Sequence, residues 1–487
     1  MSYYSEQDPL LPNDKQAPEI QGSRPQSLKD VTVAEAERGE ISRNDDIPAR
    51  IAFNDILIMM LGLCFFLVLG FMFVPDDALD GWQPGRRTIE QRVNLILTST
   101  PLIDGHNDLA ILITFLTQNQ IYGDEFKKPF ENGGLAQHVD LPRLKQGMVG
   151  GAFWSAFVPC PDDQYPDRLS SITSVKFSLT QIDLLIRLQQ AYPAHFSIPP
   201  NSTTALSYFK KGQMISPIAI EGLHQIGDSI SNLRLFYSLG VRYATLTHNC
   251  HNPYADAAIT QLSDGSSGVG EPRWGGVSPA GREAVKEMNR LGMIVDLSHV
   301  SPATMRDVLG ASDEWEGSAA PIIYSHSSAH ALCPHPRNVP DDILKLVKKN
   351  NGVVMVNFAP DFVSCTANLD NKTGMPDFYP QNNTLAHVVS HIIHIGNLIG
   401  YDHAGLGSDF DGIPNTPVGL EDVSKFPDLV AEMLRRGVSD DDAAKVVGGN
   451  VLRVWRDVDA VALKIQKAGV KPVEDKFKIR ALSKFEL

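Results

Sequence analysis

Apolar and polar positions divide the chain into an unpatterned start, one long apolar run and a repeating remainder. Residues 1–50 are rich in Ser, Gln, Pro, Asp and Glu with scarcely any apolar periodicity, so they bury too little to offset the entropy of ordering, and a disordered tail is expected. From Ile56 to Val74 no residue is charged, and at about 1.5 Å per residue these nineteen positions cross a hydrocarbon core of roughly 30 Å. One transmembrane helix is therefore expected within 51–75. After a stalk over 76–90, the chain repeats a unit of apolar strand, polar residue at its end, then amphipathic helix. The first strand is read from Leu95–Leu97 and Leu102–Ile103 up to His106. Seven more follow, at 151–158, 215–221, 243–248, 293–299, 321–326, 352–358 and 404–409.

The helices between them carry their own signals. Ser278-Pro279 reads as N-cap and first position, Val285, Met288 and Leu291 share a face, and Gly292 is a stop. Ser301-Pro302 to Gly310 and Pro340 to Gly352 repeat the device. Glu221 and His248 are 27 residues apart, as are His299 and His326, which is the length of one strand-helix unit in a barrel of about 250 residues in eight parts. The expected fold is α/β, a (β/α)8 TIM-type barrel over 91–470 with a tail at 471–487. A doubly wound open sheet is the alternative.

Composition narrows the setting. A hydrophobic fraction of 43% is that of a globular protein, and a net charge of -14 argues against nucleic acid as the partner. Cys64 lies in the apolar run, and the remaining four, Cys160, Cys250, Cys333 and Cys365, all follow it. Two disulfides in an oxidising compartment fit that even number, and four buried thiols are the other reading. The glycosylation sequons at Asn201, Asn371 and Asn382 also follow the run. Arg43 and Arg50 precede it, while Asp76, Asp77 and Asp80 follow. A cleaved signal peptide is disfavoured by the long polar segment in front and by the lack of a small-residue cleavage pattern behind. The expectation is a single-pass type II signal anchor with the large carboxyl part luminal or extracellular. Glu6-Gln7-Asp8-Pro9-Leu10-Leu11 is similar to an acidic dileucine sorting signal, which suggests a vacuole- or lysosome-like membrane, with the plasma membrane as the alternative.

Candidate chemistry collects where a barrel would place it, at the carboxyl ends of the strands. His106 and Asp108 form a His-x-Asp pair whose side chains share a face of an extended segment. Glu221, His248, His299, His326 and Asp409 each end one of the other strands. Any one of them alone is ordinarily a hydrogen-bonded structural residue; the set at equivalent positions is not. Nitrogen and oxygen donors without thiolate suit two zinc ions, or another borderline divalent metal, with a carboxylate bridging the two and an acidified bridging water attacking a carbonyl.

The stretches Asp104-Gly-His-Asn-Asp108, Gly151-Ala-Phe-Trp-Ser155, Glu221-Gly, Leu246-Thr-His-Asn-Cys250, Asp296-Leu-Ser-His299, Ser325-His-Ser-Ser-Ala329, Arg337-Asn-Val-Pro-Asp341, Ser408-Asp-Phe-Asp-Gly412 and Gly419-Leu-Glu-Asp-Val423 resemble the membrane (renal) dipeptidase family, from about Thr88 to Val454. The resemblance implies an amidohydrolase-like (β/α)8 metallodipeptidase with two zinc ions per chain, cleaving dipeptides by attack of a metal-bridging hydroxide. It implies that His106 and Asp108 hold one ion, that Glu221 bridges, and that His299 and His326 hold the other. His248, not a ligand in the family, would stabilise the developing oxyanion. Arg337 would fix the substrate carboxylate, and Asp409 would engage the substrate amine and the departing nitrogen's proton. The resemblance further implies pairing of Cys160 with Cys250 and of Cys333 with Cys365, and makes a homodimer plausible.

The chain departs from the family in two respects. Members of this kind are commonly held by a carboxyl-terminal lipid anchor, whereas this sequence ends in Lys476-Phe-Lys-Ile-Arg480 and Glu486-Leu487 without an apolar tail to exchange for one, so anchoring is expected to fall to Ile56–Val74. Insertions at 261–274 and 368–383 are expected to reshape the pocket rim. The competing functions are cleavage of another small amide and a catalytically silent membrane receptor on a retained barrel.

Overall fold

A computed structural model describes residues 59–62, 87–161, 171–262 and 264–475. The chain divides into two compact units, Met1–Asp76 and Asp77–Leu487. The expected disordered tail, and all of the expected membrane span except a helical turn at 59–62, lie outside the described residues. Among the described residues, no helix is long and apolar enough to cross a membrane.

The second unit is built on eight parallel strands: β1 (Leu102–Asn107), β2 (Val149–Ser155), β3 (Ile218–Glu221), β4 (Val241–Thr245), β5 (Ile294–Asp296), β6 (Ile323–Tyr324), β7 (Val353–Val356) and β8 (Ala404–Leu406). They pair in sequence order, and β8 returns to β1 through a parallel bridge between Asn107 and Phe410. The expected barrel is observed. The apolar run at Leu95–Leu97 is not its first strand, because Thr88 caps a helix, α1 (Ile89–Ser99), with a reciprocal Thr88–Gln91 capping box. Short apolar runs read equally as strand or helix, and here the cap decides.

Alternation along the strands separates two cores. Ile218, Ile220, Ala244, Val295, Tyr324, Val354 and Val356 face outward into the layer beneath the helices. Ala219, Tyr243, Ile294, Ile323, Val353 and Met355 face inward, where the closing helix α2 (Asn450–Lys467) plugs the barrel with Val451, Trp455 and Val458. The same period of two carries Glu221, Thr245 and Asp296 inward one layer nearer the carboxyl ends. The expected helix at Ser278-Pro279 is observed as Pro279–Leu291, with Ser278 Oγ accepting from Gly281 N at 3.0 Å and Gly292 in the left-handed region at φ 87°. That cap is worth about 1 kcal/mol.

The two expected disulfides, Cys160–Cys250 and Cys333–Cys365, are both formed. Of the sequon residues, Asn201 and Asn382 are exposed, while Asn371 is half-buried and donates to Met375 O at 2.9 Å. The two insertions fold as small antiparallel ribbons, Thr260–Gln261 with Ser267–Gly268 and Cys365–Thr366 with Asp377–Phe378, and Val269 N donates to Thr373 O at 2.8 Å to join them.

Candidate metal centre and active site

The sequence places its candidate ligands at strand ends, and the strands prove shorter. His248, His299, His326 and Asp409 lie two or three residues beyond β4, β5, β6 and β8, in the loops above the barrel. Loop residues there are freed from strict alternation, and two of them adopt left-handed backbone, His299 at φ 69° and Asp409 at φ 66°. His and Asp are among the non-glycine residues that enter that region most readily. His106 needs a different device. Between Asp104 and Asn107, β1 advances one residue more than β2, and this irregularity turns His106 into the barrel mouth after the inward-facing Ile103 and Gly105. A Cβ on Gly105 would lie 2.5 Å from Ser325 O, so only glycine fits the bulge. Asp108 converges with His106 from the N-cap of the next helix, Leu109–Thr117, rather than from one extended segment.

All seven candidate residues meet in one buried cluster. His106 Nε2 lies 3.0 Å from Asp108 Oδ2 and 3.6 Å from Glu221 Oε2. His299 Nε2 lies 2.8 Å and His326 Nε2 3.4 Å from Glu221 Oε1, and the two nitrogens are 2.9 Å apart. Three donor groupings overlap: His106, Glu221 and His326; Glu221, His248 and His299; His106, Asp108 and Asp409. Glu221 is common to two of them, as a bridging ligand would be. His248 stacks on His299 with ring centroids 4.5 Å apart, and its Nδ1 lies 3.7 Å from Cys160 Sγ of the first disulfide.

Outer partners fix the orientation of each imidazole. Tyr243 donates its hydroxyl to Gly105 O at 3.1 Å, so its oxygen accepts His106 Nδ1–H at 2.7 Å. Ser325 donates to Asp296 Oδ2 at 2.6 Å and accepts His326 Nδ1–H at 2.8 Å. Asn249 Oδ1 accepts His299 Nδ1–H at 2.8 Å. In every case Nδ1 carries the hydrogen and Nε2 turns its remaining valence inward, the arrangement found around metal-bound histidines. Two inward lone pairs at contact distance beside a carboxylate call for a cation between them. Asp108 Oδ1, buried without a hydrogen-bond partner, adds an unused anionic donor. The residues therefore fit a divalent metal of the zinc type.

Protonation follows from burial. His299 and His326 are held well below the usual imidazole range by burial first, then by Arg337 and neighbouring imidazoles, so both stay neutral and ligand-competent. His248 is pushed down in the same way. For His106 burial also opposes the charge, but Tyr243, Asp108 and Glu221 outweigh it and raise the pKa well above the usual value. An incoming cation must displace that proton. Asp409 is raised to about 7, by burial first and then by Asp108 and Glu221 against the opposing pull of His106 and Asn357.

Arg337 is 1% exposed and donates NH2 to His326 Nε2 at 2.8 Å, while its Nε and NH1 have no partner. Its guanidinium stacks over Phe362 at 5.0 Å, and its backbone N donates to the neutral His335 at 3.1 Å. Asn357, one residue past β7, escapes the sequence reading, which carries that strand through to Phe358. It donates Nδ2 to Asp409 Oδ2 at 3.1 Å and to His326 O at 3.3 Å. A polar residue in the inward phase at the end of an apolar strand is the signal that marks it. Tyr243, Ser325 and Asn249 carry no such signal, since their roles depend on packing across strands.

The comparisons with known proteins agree with this geometry. Residues 90–469 match the family model described as membrane dipeptidase, peptidase family M19. The chain is 46% identical over 392 residues to a dipeptidase of Aspergillus oryzae, aclJ, covering 79% of this chain and 83% of that protein. It is 44% identical over 394 residues to an uncharacterised dipeptidase of Schizosaccharomyces pombe, covering 80% and 88%. Among solved structures, it resembles a metallo peptidase of Rhodobacter sphaeroides liganded with a phosphinate mimic of L-Ala-D-Ala, with TM-score 0.60, 26% identity and coverage of 74% of this chain and 99% of that one. The M19 dipeptidase AC is similar, with TM-score 0.61, 27% identity and coverage of 74% and 98%. The chain belongs to the membrane dipeptidase family of metallopeptidases, family M19.

Proposed function

We propose that this protein hydrolyses dipeptides with two zinc ions held by His106 and Asp108, by a bridging Glu221, and by His299 and His326. The observation that carries the reading is the convergence of three Nε2 atoms on the two oxygens of Glu221, each imidazole fixed from behind through Nδ1. When bound, such ions supply Lewis acidity to the scissile carbonyl and acidify a water for the attack.

The chain's own residues then divide the remaining work. Arg337 lines the cavity with two guanidinium nitrogens unpartnered, and it would take the substrate carboxylate in paired, charge-assisted hydrogen bonds. Asp409, with a pKa raised to about 7, is poised to hold the substrate amine and to pass a proton to the leaving nitrogen. Asn357 keeps its carboxylate turned inward. His248, neutral and packed against His299, offers an N–H to the oxyanion that develops. The cavity is only about 280 Å3 and has Ile111, Phe115, Phe157, Phe362 and Ile413 among its apolar lining, which suits a dipeptide with both termini recognised.

The zinc-loaded protein is expected to cleave Ala-Ala, and to lose at least roughly a hundredfold in kcat/KM on its N-acetylated form, because the amine contact and its charge are removed. Equal rates on both would overturn the dipeptidase reading in favour of cleavage of another small amide.

A further inference from the structure

A second chamber of about 560 Å3 adjoins the catalytic cavity, and the two share Ala359, Phe362 and Ile413 as a common wall. Those residues stand in the loops after β7 and β8. Beyond the wall, the chamber is lined by Pro360, Phe378, Pro414 and Thr416, and by the polar Asp361, Asn415 and Asn383. Asn383 Oδ1 is buried and accepts no hydrogen bond. A buried carbonyl without a donor is free to accept one from a ligand. Phe378 belongs to the insertion over 368–383, whose ribbon is pinned to the barrel by the Cys333–Cys365 disulfide and by Tyr379 N donating to Ser364 O at 3.0 Å. The chamber is thus held in shape by fixed elements.

The wall also says which part of a substrate lies beside it. Phe362 stacks on Arg337 at 5.0 Å, so the residue whose carboxylate Arg337 takes is the residue next to the chamber. We propose that this chamber is a specificity subsite for the side chain of the substrate's carboxyl-terminal residue, favouring bulky aromatic side chains and, among them, those with a hydrogen-bond donor at the far end. This rests on the dipeptidase reading and on Arg337 as its carboxylate anchor. Phe362, Phe378, Pro360 and Pro414 supply the apolar faces, and Asn383 Oδ1 supplies the acceptor.

The test uses the full-length, zinc-loaded enzyme and the substrates Ala-Ala, Ala-Phe, Ala-Tyr and Phe-Ala. Ala-Phe is expected to exceed Ala-Ala in kcat/KM by at least roughly tenfold from the added apolar burial, and Ala-Tyr to exceed Ala-Phe by about threefold or more. Thr416→Trp, which fills the chamber away from the catalytic residues, should abolish the first ratio while leaving Ala-Ala and the Phe-Ala to Ala-Ala ratio within about twofold. Asn383→Leu should erase the Tyr over Phe preference alone, and it serves as the test should the tryptophan variant fail to fold. An unchanged Ala-Phe ratio in a folded Thr416→Trp protein, or a loss confined to Phe-Ala, would overturn the proposal and leave dipeptide cleavage standing. No cleavage of any dipeptide by the zinc-loaded protein would overturn both.

Discussion

Replacing Arg337 with Met separates binding from stability. In the folded protein the guanidinium is fully buried, two of its three nitrogens are unpartnered, and burial, against Asp409, Glu221 and Asp296, lowers its pKa from 12.5 to about 10. A lowered pKa on a base means that the charged form is disfavoured in the fold at every pH below that value. The shift corresponds to about 3 kcal/mol at 1.36 kcal/mol per unit. Methionine keeps much of the apolar stem but gives up the stack on Phe362, worth about 1 kcal/mol or somewhat more when desolvated. Urea denaturation is therefore expected to show a variant no less stable than the parent, and more stable by about 1 to 2 kcal/mol. Activity moves the other way. Paired charge-assisted hydrogen bonds to a carboxylate are worth about 3 to 4 kcal/mol together, so kcat/KM on Ala-Ala should fall roughly 10^2- to 10^3-fold. The parent should suffer a similar loss on Ala-Ala amide, and the variant should show little difference between the acid and the amide. A variant that loses as much on the amide as on the acid would refute Arg337 as the carboxylate anchor, and a strongly destabilised variant would refute the view that its charge is a cost to the fold.

Three further substitutions probe the site and its support. Tyr243→Phe removes the acceptor of His106 Nδ1–H in a position that is 0% exposed; zinc affinity, measured against a competing chelator, should weaken by about 10- to 100-fold without loss of fold, and an unchanged affinity would remove Tyr243 from the site. Gly412→Ala would bring a Cβ to 2.2 Å from Asp108 Oδ2 and 2.6 Å from Asp409 Oδ1, so dipeptide cleavage should drop sharply while circular dichroism stays native, and full activity would contradict the packing of these carboxylates. His391 is fully buried between Ala329 N and Val363 O, and burial lowers its pKa from 6.5 to about 3. Its neutral form therefore contributes stability that is complete above about pH 6.5 and is lost progressively as the pH falls toward 3. Between pH 7 and pH 5 His391→Gln should lose about 2 kcal/mol less unfolding free energy than the parent, and equal losses would mean that His391 does not titrate in the unfolding transition.

The fold was legible because each unit announced itself twice, in an apolar run and in a capped helix such as Ser278–Gly292. The candidate site was legible because its polar residues follow those runs at one height. Contacts made across the chain were not. Leu95–Leu97 reads as a strand until Thr88 and Gln91 are seen to cap a helix over it. His106 points inward only through a register irregularity against β2, which is a property of two strands together. Tyr243 is similar: its side chain reads as barrel core, and only the approach of Gly105 and His106 across the barrel gives its hydroxyl a role. The joining of the two insertions through Val269 and Thr373 is likewise a contact between segments far apart in the chain.

Whether the protein is a zinc-dependent dipeptidase is decided by elemental analysis of the purified protein beside its rate on Ala-Ala, before and after chelation and again after zinc is restored. About two zinc ions per chain are expected, with cleavage that disappears with the metal and recovers on its return. Cleavage that persists in metal-free protein, or a purified and folded chain that takes up no divalent metal, would contradict it.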